Sequence, residues 1–266
     1  MIRRLLLTLC TLALSLAAGA HAAEPIRIGT TQSLTGEFQE FGTNQLRGLQ
    51  MWAGDVNSRG KLLGRPVEIV HYDDGSDPAR SAELYRKLIE QDRVDLLVGP
   101  YSSNITMAAS KVAQEHGFPM LTLGASADQI WARGYENIVG LDVPSTRYMD
   151  GALRAAADQG ARTLALVYEE NDFTRDVVPG VLSKAQELGL QVVLNSPTPS
   201  AADIPGQVKR LAAANADVIM SLHYLEEGVA LVRALQQAQV KPDMLVFGVA
   251  ASLAEFGQQL PGDVEG

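Results

Sequence analysis

The chain of 266 residues has one cysteine, Cys10, and that one lies in an apolar N-terminal stretch. This excludes an internal disulfide framework and a thiolate metal site. Histidine is scarce. His71, His116 and His223 have no ligand-type partner at metal spacing apart from Glu226 and Glu227 beside His223, so core or solvated histidines are expected, with no metal. Basic residues are outnumbered, 22 against 31 acidic ones, and no basic cluster is interleaved with aromatics. An acidic surface of this kind is a poor partner for nucleic acid or an anionic membrane. Aromatics make up only 6% of the chain.

Beyond the N-terminus no apolar run is long enough to span a bilayer. At the N-terminus, Met1-Ile2-Arg3-Arg4 is basic, Leu5 to Ala20 is apolar, and Ala20-His21-Ala22 is a small-x-small cleavage site. Residues 1–22 therefore read as a secretory signal peptide. Leu9, not a small residue, precedes Cys10, so no lipid anchor is expected. Removing the leader with Arg3 and Arg4 leaves 20 basic against 31 acidic residues, a net charge of −11, and no cysteine. The remaining chain is long enough for two lobes of about 120 residues, stabilised by their cores alone.

Strand-like and helix-like segments alternate. Strands are expected at Ile26–Thr30, Val67–Tyr72, Asp95–Val98, Pro119–Thr122 and Asn137–Leu141. Between them lie helices from about Thr43 to Ser58, from Asp77-Pro78 onward, and over Ser103–Glu115. Asp77 is a helix cap with proline at the first helical position. The alternation then restarts with strand Thr163–Tyr168, a helix from about Asp176 to Leu188, and strand Gln191–Leu194. Helix Ile204–Ala214, strand Asp217–Ser221, helix Leu225–Gln237 and strand Met244–Phe247 follow, with no terminal element after them. The expected fold is α/β, in two Rossmann-like lobes over residues 23–144 and 145–266. Each is a mostly parallel sheet with helices on both faces. One large doubly wound sheet is the alternative.

Motifs for cofactors and catalysis are missing. The turn after the first strand, Gln32-Ser33-Leu34-Thr35-Gly36, lacks G-x-G-x-x-G, and there is no P-loop and no G-x-S-x-G elbow. Asp73-Asp74-Gly75-Ser76-Asp77 lacks the Glu of a calcium loop, since Leu84 stands there; a turn and helix cap are expected. No cofactor is expected.

What remains is the chemistry of strand ends, where ligands of open parallel sheets bind. Tyr101-Ser102-Ser103-Asn104 follows the third strand, Gly124-Ala125-Ser126 the fourth, and Phe38 and Phe41 the first. Hydroxyls, small residues and the free N–H groups of a helix start make a cradle for a carboxylate that needs no Lys or Arg.

In order, "IRIGTTQSLTGEFQEFGTNQLRGLQ", "GKLLGRPVEIVHYDDGSDP", "VDLLVGPYSSNITMAAS", "FPMLTLGASADQIWARGY" and "LVYEENDFTRD" resemble the leucine/isoleucine/valine-binding protein family, the type I periplasmic solute receptors of ABC importers. The resemblance covers Glu24 to Gly266. It implies a periplasmic, non-enzymatic monomer. Such a protein would capture a small carboxylate- or amide-bearing solute between its lobes and deliver it to the importer's membrane permease. By the same resemblance Ser103 bonds the ligand carboxylate, with Gly124 and Ser126 beside it and Tyr101 and Ser102 in the same turn. Phe41 lines the first lobe, and Phe173 and Tyr224 supply second-lobe aromatics. It also implies that the C-terminal part of the first lobe is absent here. Ala250 stands where the family often has the acid for a ligand ammonium, and Gly140 and Ser145 stand where it usually has Arg and Asp. Glu226 and Glu227 read as a solvated helix cap. Solutes without an ammonium group are therefore expected. A ligand-sensing module of the same fold, or a secreted hydrolase, are the other readings.

Overall fold

The computed structural model describes residues 24–260 and 262; the expected signal segment, 1–22, lies outside the described residues. Two separate parallel sheets form. The first has strands β1 (Ile26–Gln32), β2 (Val67–Asp73), β3 (Leu96–Val98), β4 (Met120–Thr122) and β5 (Ile138–Gly140) in the order β2-β1-β3-β4-β5. The second has β6 (Thr163–Tyr168), β7 (Gln191–Pro197), β8 (Val218–Leu222) and β9 (Met244–Phe247) in the order β7-β6-β8-β9. All described pairings within the sheets are parallel, and the division of the strands between two sheets sets aside the single large one.

Helices α1 (Gln39–Ser58), α2 (Pro78–Glu90), α3 (Ser103–Glu115) and the short α4 (Gln129–Ala132) connect the first five strands. Helix α5 (Asp150–Asp158) follows the crossover. Helices α6 (Asp172–Leu188), α7 (Ile204–Ala214), α8 (Leu225–Gln237) and α9 (Ala254–Gln259) belong to the second half. Helix α2 starts where Asp77 accepts the N–H groups of Ala79 and Arg80 with Pro78 at the first helical position. Helix α6 begins four residues earlier than the sequence pattern predicts. Asn171 and Thr174 form a reciprocal capping box there, and this start outweighs Pro179 inside the helix. Helix α9 is not foreseen; Phe256 seats it by packing on Phe247 at 4.9 Å.

One face of the first sheet buries Tyr85, Leu88, Leu97, Val112, Met120 and Ile130 under α2 and α3. On the other face α1 covers β1 and β2 through Leu49 and Ala53. Over β3 to β5 that face is open: Trp52 is 41%, Val139 55% and Leu141 67% exposed around a trough of about 780 Å³. The second sheet is covered on both faces, by Leu153, Val177 and Val181 on one and by Ile204, Leu211 and Leu231 on the other. The core cluster that holds Val177 also contains Phe38 and Ile105 from the first half, so the halves share buried apolar contacts.

The loop from β1 to α1 is tied down by two acids. Asp74 accepts the hydroxyls of Thr31 and Ser33, and Asp73 accepts the amides of Leu34, Thr35 and Gly75. The acidic stretch is thus the turn the sequence suggests, and it presents Glu37 and Phe38 toward the second sheet. Among the described residues no group of three or more His, Cys, Asp or Glu could hold a metal, and no helix is long and apolar enough to cross a membrane.

Candidate functional site

The carboxyl ends of both sheets face each other around a cavity of about 170 Å³. Tyr101, Ser102 and Ser103 enter it from the end of β3, Leu123, Gly124 and Ser126 from β4, and Asp142 from β5. Tyr148 comes from the crossover, and Phe173, Tyr224 and Val249 from the strand ends of the second sheet. No Lys, Arg or His lines it.

The turn after β3 is built around Ser102. Its Oγ accepts the N–H of Ile105 at 3.3 Å and caps α3, while its own N–H bonds the carbonyl of Gly124 at 2.9 Å. Ser102 adopts φ 76°, ψ 144°, a backbone region that costs a non-glycine residue about 1–3 kcal/mol. In that conformation Ser102 takes up the N–H groups of Ile105 and Thr106 through its side chain and carbonyl. Gly124 is required by close approach: a Cβ there would sit 2.9 Å from the Tyr101 ring and 2.6 Å from Gln45 Oε1.

Ser103 Oγ accepts two backbone N–H groups, Ala127 at 3.1 Å and Ser126 at 3.3 Å. Its acceptor capacity is thereby used and its hydroxyl proton is free to donate. Ser126 Oγ pairs with Ser145 Oγ at 3.0 Å, and the Ser145 N–H bonds the Ser126 carbonyl at 2.8 Å. This ties the β4 end to the crossover.

The aromatic residues form an inter-half cluster. Phe41 stacks on Tyr101 at 4.5 Å, while Tyr224 meets Phe38 edge-on at 5.2 Å and Phe41 at 6.0 Å. Tyr148 and Phe173 stand perpendicular, centroids 5.1 Å apart. Burial pushes the Tyr101 and Tyr224 phenols well up, so both stay protonated and act as neutral donors. Polar contacts add to this closure. Asn104 Oδ1 accepts the Asp172 N–H at 2.9 Å, and Asp176 accepts both the N–H and the Nε2 of Gln129 at 3.2 Å.

Acids surround the cavity. Asp142 stands at its rim; burial pushes its carboxyl up against the opposing effect of an N–H bond from Ala125. Behind Tyr224, burial and then the Glu227 and Glu37 carboxylates raise Glu169 to about 8, with a carboxyl hydrogen bond to Glu227. Glu37, from the first half, is raised by burial and by Glu227 and Glu226. Glu226 is exposed as expected, but Glu227 is half-buried and engaged with Glu169 rather than a plain solvated cap.

The structure brings Tyr101, Ser102, Ser103, Gly124, Ser126, Phe173 and Tyr224 to one cavity. Phe41, in the first turn of α1, stacks on Tyr101 and meets Tyr224 behind the residues of the cavity wall. Asp142, Tyr148, Leu123 and Val249 were not anticipated. Asp142 follows directly on β5, a strand the sequence does show, whereas Tyr148 lies in the crossover, where no periodicity marks it. Ala250 is fully buried among Val229, Val232 and Phe256, and its neighbour Val249 forms the wall instead.

His223 is buried and bonds Ser221 Oγ at 2.8 Å through Nδ1, while burial takes its pKa down to about 4. Neither residue lines the cavity, so the pair offers no nucleophile to a bound solute.

Two parallel α/β sheets thus turn their carboxyl ends toward one small cavity that offers uncharged donors. The chain belongs to the periplasmic binding protein family, whose sequence profile matches residues 25–264. Among curated proteins it is 27% identical over 241 residues to Leu/Ile/Val-binding protein homolog 7 of Brucella melitensis, covering 87% of this chain and 60% of that one. It is 28% identical to Leu/Ile/Val-binding protein homolog 8 of Brucella suis, covering 89% and 61%. The chain thus spans about three fifths of the length of these relatives. A leucine-binding protein of Thermotoga maritima superposes with TM-score 0.80 at 22% identity, covering 91% of this chain and 68% of that one. A Rhodopseudomonas palustris solute-binding protein in complex with 4-hydroxybenzoate gives 0.77 at 23%, covering 88% and 65%. At these identities the two solved structures speak for the fold.

Proposed function

We propose that this chain is the ligand-binding part of an extracytoplasmic receptor that holds a small solute between two lobes, divided near Pro144, and delivers it to an ABC transporter permease. The observation that carries this reading is the cavity itself. It is small, it is closed by side chains from both sheets, and it offers hydroxyl and amide donors without a nucleophile and base pair. The Ser103 hydroxyl and the first turn of α3 suit a ligand oxygen, and the aromatic walls suit an apolar body. The Tyr224 contacts to Phe38 and Phe41 and the Asn104 and Asp176 bonds would form on closure and be released on opening, as in a hinge. Residues 1–22 would direct export, and the protein would act as a monomer. The names of the relatives, which mention leucine, isoleucine and valine, and of the neighbour holding 4-hydroxybenzoate, bracket the candidate solutes between amino acids and aromatic acids.

The test is a calorimetric screen of the protein against amino acids, amides and aliphatic and aromatic acids. Saturable binding with one site per chain, weakened by Ser103→Ala, supports the reading. Hydrolysis of any ester or amide in the panel, or binding unaffected at Ser103, argues against it.

A further inference from the structure

Resting on that receptor reading, we infer that Leu123 is a specificity-determining residue that limits solute length. It closes the cavity between the sheets off from the open apolar trough on the first sheet. The cavity measures about 170 Å³ and the trough about 780 Å³. An apolar space of about 150 Å³ holds one benzene-sized molecule. The cavity therefore takes a body of about one ring, and a longer solute fits only if the cavity opens into a neighbouring space.

That neighbour is one side chain away. Leu123 lines both the cavity and the trough. It follows directly on β4, and strand alternation puts its side chain on the face of Leu121, which also lines the trough. There it packs against the cluster of Ile28, Leu49 and Val98. The two spaces adjoin at two further points. Leu141 lines the trough, and the next residue, Asp142, lines the cavity. Gln45 lines the trough, and its Oε1 lies 2.6 Å from where a Cβ on the cavity residue Gly124 would stand. Gln45 is fixed there, because its Nε2 donates to the Gly99 carbonyl at 2.9 Å. Leu123 is aliphatic, so shortening it opens the partition without removing a hydrogen bond.

Among the described residues Leu123 is the one aliphatic side chain that the first sheet brings to the cavity wall. An apolar solute body meets it, and behind it the trough offers Leu49, Trp52 and Val139. Their apolar surface would favour every further methylene that reached it. Trp52 stands two helical turns beyond Gln45 on α1, about 10 Å along the axis. An extended alkyl chain of eight carbons has about that length. With Leu123 in place such a chain has no path from the cavity to Trp52.

The experiment uses two homologous series, from 2-aminopentanoate to 2-aminodecanoate and from benzoate to 4-hexylbenzoate. Binding to the parent chain, Leu123→Val and Leu123→Ala is measured by calorimetry, with thermal unfolding as the check on folding. The parent should bind the short members and lose at least tenfold in affinity for the longest. Leu123→Ala should bind the longest members at least tenfold tighter than the parent does. Leu123→Val, the milder change, should gain in part, and it carries the test if the alanine variant is unfolded. A long member brominated at its chain end should quench tryptophan emission in Leu123→Ala, and Trp52→Phe in that background should abolish the quenching. If the long members bind the parent as tightly as the short ones, or gain in neither variant, the inference fails while the receptor reading stands. If no member of either series binds any of the chains, both fail.

Discussion

The rings of Phe41 and Tyr101 lie face to face, 4.5 Å apart and 5° from parallel, and the edge of Tyr224 from the opposite sheet closes on Phe41 at 6.0 Å. The stack holds Tyr101 as a rigid wall of the cavity, and Tyr224 can meet it only when the halves are together. Aromatic pairs of this geometry are worth about 0.5–1.5 kcal/mol each beyond the area they bury. Tyr224→Ala removes two such contacts, to Phe38 and Phe41. It should lower solute affinity by roughly tenfold or more through easier opening. Calorimetry on the variant checks this, and an unchanged affinity would mean that closure does not depend on the cluster.

Ser103→Ala should cost stability as well as binding. The hydroxyl accepts the buried amides of Ser126 and Ala127, and its loss leaves both without that partner. Each unsatisfied buried group costs about 1–3 kcal/mol. Urea unfolding should show a loss of about 2–6 kcal/mol for the two groups together, and Ser103→Thr, which keeps the hydroxyl, should lose less.

At Ser102 the cap and the strain can be separated. Ser102→Ala loses the cap on Ile105 and keeps the φ of 76°. Ser102→Gly also loses the side chain but adopts that φ without strain, and glycine is a tolerable cap. The glycine variant should be the more stable of the two by about 1 kcal/mol. Equal stabilities by urea unfolding would show that the turn relaxes in the alanine variant.

The acids behind Tyr224 give a pH signature. The Glu169 carboxyl is raised from 4.5 to about 8, by burial first and by Glu227 and Glu37 next, so the folded chain holds a proton there that the unfolded chain releases above its ordinary pKa. The contribution is fully present below about 4.5 and is lost as the pH rises through about 8. Glu37 shifts the same way. Thermal unfolding should therefore fall between pH 5 and pH 9, and Glu169→Gln, which keeps a hydrogen bond without a charge, should flatten that fall. A wild-type profile that rises over this interval would contradict the assignment.

The sheets and most of the cavity were legible from residue order. Strand ends such as Tyr101-Ser102-Ser103 and Gly124-Ala125-Ser126 follow short apolar runs, and parallel α/β topology sends all such ends to one side. For Phe41 the sequence shows an aromatic residue after the first strand, and the stacking on Tyr101 is visible only in three dimensions. Asp142 follows a strand the sequence shows, so the strand-end rule reaches it, while Tyr148 lies in the crossover, which has no period. The carboxyl pair of Glu169 and Glu227 joins residues far apart in the chain and is visible only in three dimensions.

Closure on a solute is the central claim, and small-angle X-ray scattering reads it most directly. The protein is measured alone and with the tightest binder from the calorimetric screen at saturating concentration. The account predicts a smaller radius of gyration with solute, and loss of that change in Tyr224→Ala at equal occupancy. An unchanged radius at proven saturation would contradict it and would point to a rigid pocket.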